Sequence, residues 1–266
     1  MEATLTNATH FDRWGPDYDR DELHPVLVAN LLDGITITAG PRVLDVATGT
    51  GLVALAAAEY VGTAGEVIGV DISAGMLAEA RRKALSAKLE NVRFIQGDAE
   101  HLARPAEGFD YVFCSSALVL MADPPAALCL WASFLKPGGI LAFDTPAKPF
   151  GISDLAVAAA ARHGVKLAYA EVGDTHAKCL GLIAEAGLEA VSVRTVLSSS
   201  RTIDIATAVA LYDDRQDHPA WYALRSADRE KRASIRASYI EQIRSAAPAG
   251  EFLEEMALNV TIARMT

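Results

Sequence analysis

Asp45, Gly49 and Gly51 stand at acid-x-x-x-Gly-x-Gly spacing at the end of a short apolar run, and a second acid, Asp71, follows at the end of the next such run. Glycines at 49 and 51 allow a sharp turn and let a ligand lie against bare backbone. An acid about 20 residues beyond such a loop sits where it takes both hydroxyls of a ribose. A dinucleotide site shares these features, but three details oppose it. Its third glycine would fall at Ala54, its glycines would follow the strand directly, and Asp45 would face a pyrophosphate drawn to the helix N-terminus. A carboxylate there favours a positively charged ligand instead. A nicotinamide-dependent oxidoreductase is therefore a remote alternative.

Regularly alternating elements must position this loop. Arg42–Val46, Glu66–Asp71, Val92–Asp98, Phe109–Cys114 and Ile140–Asp144 are strand-like, with helical stretches at Leu52–Tyr60, Ala74–Ala87 and Pro125–Leu135. Alternating strands and helices give a parallel sheet covered on both faces, and near-continuous apolar strands fit burial on both sides. Helices are expected over Ser153–Arg162 and Asp174–Ala186, then a sixth strand over Leu188–Val196 after the helix-ending Gly187. Residues 202–215 and 228–246 read as helical, and Phe252–Arg264 as the last strand. Such a long connection between two strands is a helical insertion. The expected fold is α/β, a Rossmann-like, doubly wound, mostly parallel seven-stranded sheet with a helical cap inserted between the last two strands. Its parts are an N-terminal helical lid segment (1–40), the core (41–200), the cap (201–250) and a returning last strand (251–266).

At 266 residues and 51% hydrophobic composition the chain can bury a large single core. Its net charge of −10 lacks the basic stripe of a nucleic-acid binder, so no nucleic-acid partner is expected. The N-terminus has neither a basic start nor an apolar stretch, and no window has the length of a membrane span. Three widely spaced cysteines, Cys114, Cys129 and Cys179, read as core residues of a cytoplasmic protein without disulfides.

The blocks Phe11-Asp12-Arg13-Trp14, Tyr18-Asp19, Val43 to Gly51, Val70 to Leu77, Gly97-Asp98-Ala99-Glu100, Phe109 to Val112 and Leu135-Lys136-Pro137-Gly138-Gly139 occur in order. Over the first 145 residues they resemble class I S-adenosylmethionine-dependent methyltransferases, nearest the ubiquinone and menaquinone C-methyltransferase branch and related small-molecule enzymes. The resemblance implies S-adenosylmethionine as cofactor, with S-adenosylhomocysteine as product. It places Asp45, Ala47, Gly49 and Gly51 along the methionine moiety, Asp71 on the ribose, and Ile72 and Met76 against the adenine. Asp98 would face the adenine amino group, Ala99 the ring edge, and Ser115 the amino acid or the transferred methyl. Tyr18 would close over the cofactor. Blander roles compete for some of these residues: a helix cap for Asp98, core for Met76, and a staple to the body for Phe11 and Trp14.

Methyl transfer is an in-line displacement at an activated carbon, so the protein chiefly holds the acceptor near and excludes water. A general base is needed only if the acceptor loses a proton. His24, His176 and His218 are candidates, but none earns a catalytic assignment. Trp14, Ser116, His176 and Tyr212 are the expected acceptor-pocket residues. No metal is expected, because the fourth strand ends in Cys114-Ser115-Ser116 rather than an acid, and no CxxxCxxC cluster motif is present. An Asn/Asp-Pro-Pro-aromatic motif of amino-methylating DNA enzymes is also missing there. The expected activity is methylation of a small, apolar or aromatic metabolite. A cyclase or binding protein that holds the same cofactor on the same fold is the alternative.

Overall fold

The computed structural model describes residues 2–15, 18–20, 23–167 and 172–266. Seven strands form one sheet: β1 (Arg42–Val46), β2 (Glu66–Asp71), β3 (Val92–Gln96), β4 (Phe109–Cys114), β5 (Leu135–Phe150), β6 (Glu189–Asp204) and β7 (Glu251–Arg264). Their order is β3-β2-β1-β4-β5-β7-β6. The first five run parallel, whereas β7 lies antiparallel between β5 and β6. Strand order reverses between β1 and β4, which opens a crevice beyond their carboxyl ends.

Period-two alternation sends successive side chains to opposite faces. Val43 packs towards α2 (Leu23–Leu32) and α3 (Leu52–Val61), while Leu44 and Val46 join Trp131 and Ile183 on the other face. Those two come from α5 (Pro124–Ala132) and α7 (His176–Glu185). The same alternation turns Asp45 back towards α3, where its carboxylate accepts the Ala54 N–H. The helix α4 (Ala74–Ser86) covers β3 and β2, and Ser73 caps it by accepting the Met76 N–H.

The cap departs from expectation in two respects. β6 continues to Asp204, pairing with β7 along its whole length, so the inserted helices begin at Ile205 rather than 201. The cap is also built from two connections. Helix α6 (Ile152–Arg162), between β5 and β6, shares one apolar core with α8 (Ile205–Asp214), α9 (Tyr222–Arg225) and α10 (Arg229–Ala246). At its centre Tyr212 stacks on Tyr239 at 4.3 Å between ring centroids and meets Trp221 edge-on. Trp221 is fully buried, yet among the described residues its indole N–H has no hydrogen-bond partner. Trp221→Ala should therefore cost about 3–5 kcal/mol in chemical denaturation, whereas Trp221→Phe should cost about 1 kcal/mol, since only packing volume is lost.

The N-terminal segment is tied to the core. Helix α1 (Glu2–Trp14) crosses the start of α4, where Asp12 Oδ1 accepts the Ser73 hydroxyl at 2.6 Å and the Gly75 N–H at 2.9 Å. Asp19 accepts from Thr50 and pairs with Lys83, both at 2.6 Å. Among the described residues no helix is long and apolar enough to cross a membrane. The three cysteines are unpaired.

Candidate cofactor and acceptor site

The crevice beyond β1 and β4 holds two adjoining cavities. The larger, about 240 Å³, runs from Asp71, Ile72 and Met76 past Asp98 and Ala99 to Ser115 and Ser116. Its far end is an apolar wall: Val119, Leu120 and Met121 from the turn after β4, Pro219 and Tyr222 from the cap, and Phe11 from α1. The smaller, about 50 Å³, lies against Asp45, Thr48 and Thr50, with Tyr18 and His24 over it. Tyr18, Ala47, Gly49, Ser115 and Ser116 border both.

The loop after β1 is conformationally committed. Gly49 has φ of 55° and Gly51 of 82°, and Ala47 is also left-handed at 52°. A side chain added at Gly49 would meet nothing within 4 Å, leaving bare backbone towards the crevice. Gly51 borders neither cavity. A Cβ there would press on Ala80 and on the Phe94 ring at 3.0 Å, so this glycine serves helix entry and packing rather than the expected ligand contact.

Three carboxylates are buried in this region: Asp45 near the end of β1, Asp71 at the end of β2, and Asp144 within β5, level with the end of β4. Asp45 accepts the Thr48 hydroxyl and the Ala54 N–H. Asp71 Oδ2 accepts the Gly49 N–H and Oδ1 the Ser73 N–H, both at 2.8 Å. Asp144 accepts the Ser115 hydroxyl at 2.9 Å and the Ser116 N–H at 2.8 Å. Among the described residues none of the three forms an ion pair; hydroxyls, N–H groups and other carboxylates surround them. Burial pushes Asp45 up to about 7 against the hydrogen bonds that pull it down, and the nearby charge of Asp71 adds to the rise. Burial likewise raises Asp71, and takes Asp144 to about 6. A cation beside them would favour their ionised forms.

The sequence-predicted residues divide by position. Tyr18, Ala47, Gly49, Asp71, Ile72, Met76, Asp98, Ala99, Ser115 and Ser116 border the larger cavity, and Asp45 the smaller. Asp98 also caps its own turn through the Glu100 N–H. Three expected acceptor-pocket residues lie elsewhere. Tyr212 is enclosed in the cap core because the face of α8 it occupies packs on α10. His176 is exposed at the start of α7, and its Nε2 meets the hydroxyl of Thr195 on β6 at 2.9 Å, away from both cavities. Trp14 is 41% exposed, and Phe11, three residues earlier on α1, faces the cavity in its place. His218 packs among His10, Phe11 and Trp14 and accepts the Ala220 N–H, with burial pushing its imidazole down to about 3. The His24 ring lies against Tyr18, tilted, with 4.1 Å between ring centroids.

The sequence reading missed Asp144 and most of the apolar wall, namely Val119, Leu120, Met121 and Pro219. Asp144 carries the same signal as Asp45 and Asp71, a lone acid at the end of a buried apolar strand, but without a glycine loop beside it. Glu100 also borders the larger cavity, with its carboxylate occupied by the Ala122 and Asp123 N–H groups.

Residues 37–185, more than half the chain, match the family model described as "Methyltransferase domain". The chain belongs to this family, as a class I S-adenosylmethionine-dependent methyltransferase by fold and sequence. Among its relatives is aklanonic acid methyltransferase DauC from Streptomyces sp. strain C5, 38% identical over 138 residues, 51% of this chain and 63% of that one. Demethylmenaquinone methyltransferase from Listeria monocytogenes is 34% identical over 157 residues, 56% of this chain and 66% of that one. The matched stretch thus spans less than two thirds of either relative. The [4+2]-cyclase SpnF shares the fold at a TM-score of 0.62 and 19% identity, over 97% of this chain and 94% of its own.

The donor set fits the family's cofactor. S-adenosylmethionine would bring an ammonium and a sulfonium to a crevice bordered by the buried carboxylates Asp45 and Asp71, with Asp144 behind Ser115. When bound, it supplies a methyl group activated for displacement.

Docking of α1 on α4 closes one side of this site and depends on Gly75, where an added Cβ would lie 2.5 Å from the Asp12 carbonyl oxygen. Overpacking of this kind costs about 1–3 kcal/mol. Gly75→Ala should therefore weaken S-adenosylhomocysteine binding about tenfold by calorimetry and speed proteolysis of the N-terminal segment, leaving the core's unfolding transition in place.

Proposed function

We propose that this chain transfers a methyl group from S-adenosylmethionine to a small, apolar or aromatic metabolite. The observation that carries this reading is the pair of buried carboxylates bordering the crevice, Asp71 on the larger cavity and Asp45 on the smaller, continuous with an apolar cavity wall. Asp71 holds the ribose hydroxyls, Ile72 and Met76 pack on the adenine, and Asp98 with the Ala99 backbone reads its polar edge. Asp45, Ala47 and the bare backbone at Gly49 take the methionine end, with Tyr18 above it. The acceptor lies between Ser115–Ser116 and the wall of Val119, Leu120, Met121 and Tyr222. An apolar wall suits flat hydrocarbon surface, and its few hydroxyls orient rather than solvate the acceptor.

The aklanonic acid and demethylmenaquinone methyltransferases among its relatives support a small-molecule acceptor. The test is calorimetry of the purified protein with S-adenosylmethionine and S-adenosylhomocysteine, where micromolar affinity is expected, together with mass spectrometry of co-purified ligands. Absence of binding to both would remove this reading.

A further inference from the structure

The Ser115 hydroxyl, at the junction of the two cavities, donates to the Asp144 carboxylate, which the Ser116 side chain also hydrogen-bonds. Register places Phe143 beside Cys114, so the next residue on β5, Asp144, lies beside the turn after β4. Asp144 is 2% exposed and receives the Ser115 hydroxyl and the Ser116 N–H. Ser116 is held at a φ of 57°, a left-handed backbone that a serine rarely adopts. The Asp144 carboxylate thus braces a strained turn and draws the Ser115 proton inwards. A hydroxyl that donates inwards turns its lone pairs outwards, into the cavity. Asp144 lines neither cavity, so it reaches a bound ligand through Ser115, which borders both.

We propose that Ser115 backed by Asp144 is the proton-accepting pair for the acceptor, which is therefore one that loses an O–H or activated C–H proton as it is methylated. This rests on the reading under "Proposed function". The acceptor proton passes to Ser115 Oγ while the Ser115 proton moves to Asp144 Oδ2. The acceptor oxygen or carbon forms its bond to the methyl as the sulfur–methyl bond breaks, and the electron pair of that bond stays on sulfur. One positive and one negative charge disappear together, so a water-excluded site is left with neutral products. Ser115 is the catalytic residue of the pair and Asp144 its positioning and proton-storing partner.

The carboxyl is suited to this. Burial raises it to about 6, near the working range of a general base, whereas an unburied aspartate is too acidic. Among the described residues the titratable group coupled to it is the Cys114 thiol, which burial pushes up most, with Asp144 and Asp45 adding to the rise. Among the described residues no cation faces it.

Infrared difference spectra of the S-adenosylhomocysteine complex, wild type minus Asp144→Asn, read the carboxyl without any turnover. A protonated-carboxyl band titrating between about pH 5 and pH 8 is expected, and its midpoint should move in Ser115→Ala. No titrating band in that window would overturn the proposal. Methyl transfer is then followed from radiolabelled S-adenosylmethionine to alizarin and 1-naphthol, planar probes with ionisable hydroxyls. Asp144→Asn and Ser115→Ala should each lower kcat about 10²–10⁴-fold with KM little changed, while Ser115→Thr retains activity. Asp144→Asn should also lose the acid limb of the pH profile. Rates within about threefold of wild type in both variants would sink the pair, as would failure of a cofactor-binding protein to methylate either probe. Failure to bind the cofactor at all would instead remove the proposed function. If Asp144→Asn does not fold, Ser115→Ala decides alone, since it keeps the bond between Asp144 and the Ser116 N–H.

Discussion

Asp71→Ala is expected to weaken binding of both S-adenosylmethionine and S-adenosylhomocysteine by about two orders of magnitude. Hydrogen bonds to a charged group contribute about 1.5–3 kcal/mol each, and Asp71 stands where a ribose presents two hydroxyls. The same carboxylate holds the Gly49 and Ser73 N–H groups, which set the loop after β1 and the start of α4. Its removal thus loses direct contacts and loosens two walls at once. Asp71→Asn keeps one acceptor and should lose about tenfold. Stability separates binding loss from unfolding. Burial raises the folded-state pKa of Asp71, so its ionised form is penalised in the fold, and that penalty develops as pH rises through the range between the unfolded and folded values. At pH 8 the ligand-free Asp71→Asn protein should melt no lower than wild type. A large fall in melting temperature together with the affinity loss would assign Asp71 to the fold rather than to the ligand.

What the sequence could reveal follows from how local each determinant is. Asp45, Gly49 and Asp71 were legible because strand ends and a left-handed glycine are written within a few residues. Gly51 belongs to the same motif, but its reason is distant packing against Phe94 and Ala80, which no local pattern displays. Tyr212 and Trp14 were aromatic and suitably placed in sequence, yet helix rotation decides which side of α8 or α1 meets the cavity, and that is fixed by the partners they pack on. The polar run Ser198–Arg201 resembles a loop, but pairing with β7 supplies its backbone hydrogen bonds and extends β6 past it. The contribution of α6 to the cap was invisible for a related reason: its apolar face is complete only when α8 and α10, far along the chain, lie against it.

Cofactor affinity is expected to rise with pH between about pH 5 and pH 7, approaching tenfold per unit, and then to level off. The cause is the Asp45 carboxyl, which burial and Asp71 hold at about 7 in the ligand-free protein, with Asp144 at about 6. A cationic ligand binds better beside the ionised form and so lowers these pKa values when it arrives. A group whose pKa falls on binding releases protons, and the slope of log affinity against pH equals the number released. Below both the bound and free values no proton is released and the slope vanishes. Above the free values the groups are already ionised and the slope vanishes again. Calorimetry at pH 6.5 in buffers of different ionisation enthalpy should register net release on the order of half to one proton per site. Asp45→Asn removes the charge that attracts the ammonium, so it should bind less tightly at pH 8 and show a flatter pH profile. The neutral thioether of S-adenosylhomocysteine gives a further contrast: if Asp144 senses the sulfonium, release should be smaller with S-adenosylhomocysteine than with S-adenosylmethionine. Equal affinity at pH 5.5 and pH 7.5 for the wild-type protein would show that these carboxylates do not change protonation on binding, and that the cation they await is not the cofactor's.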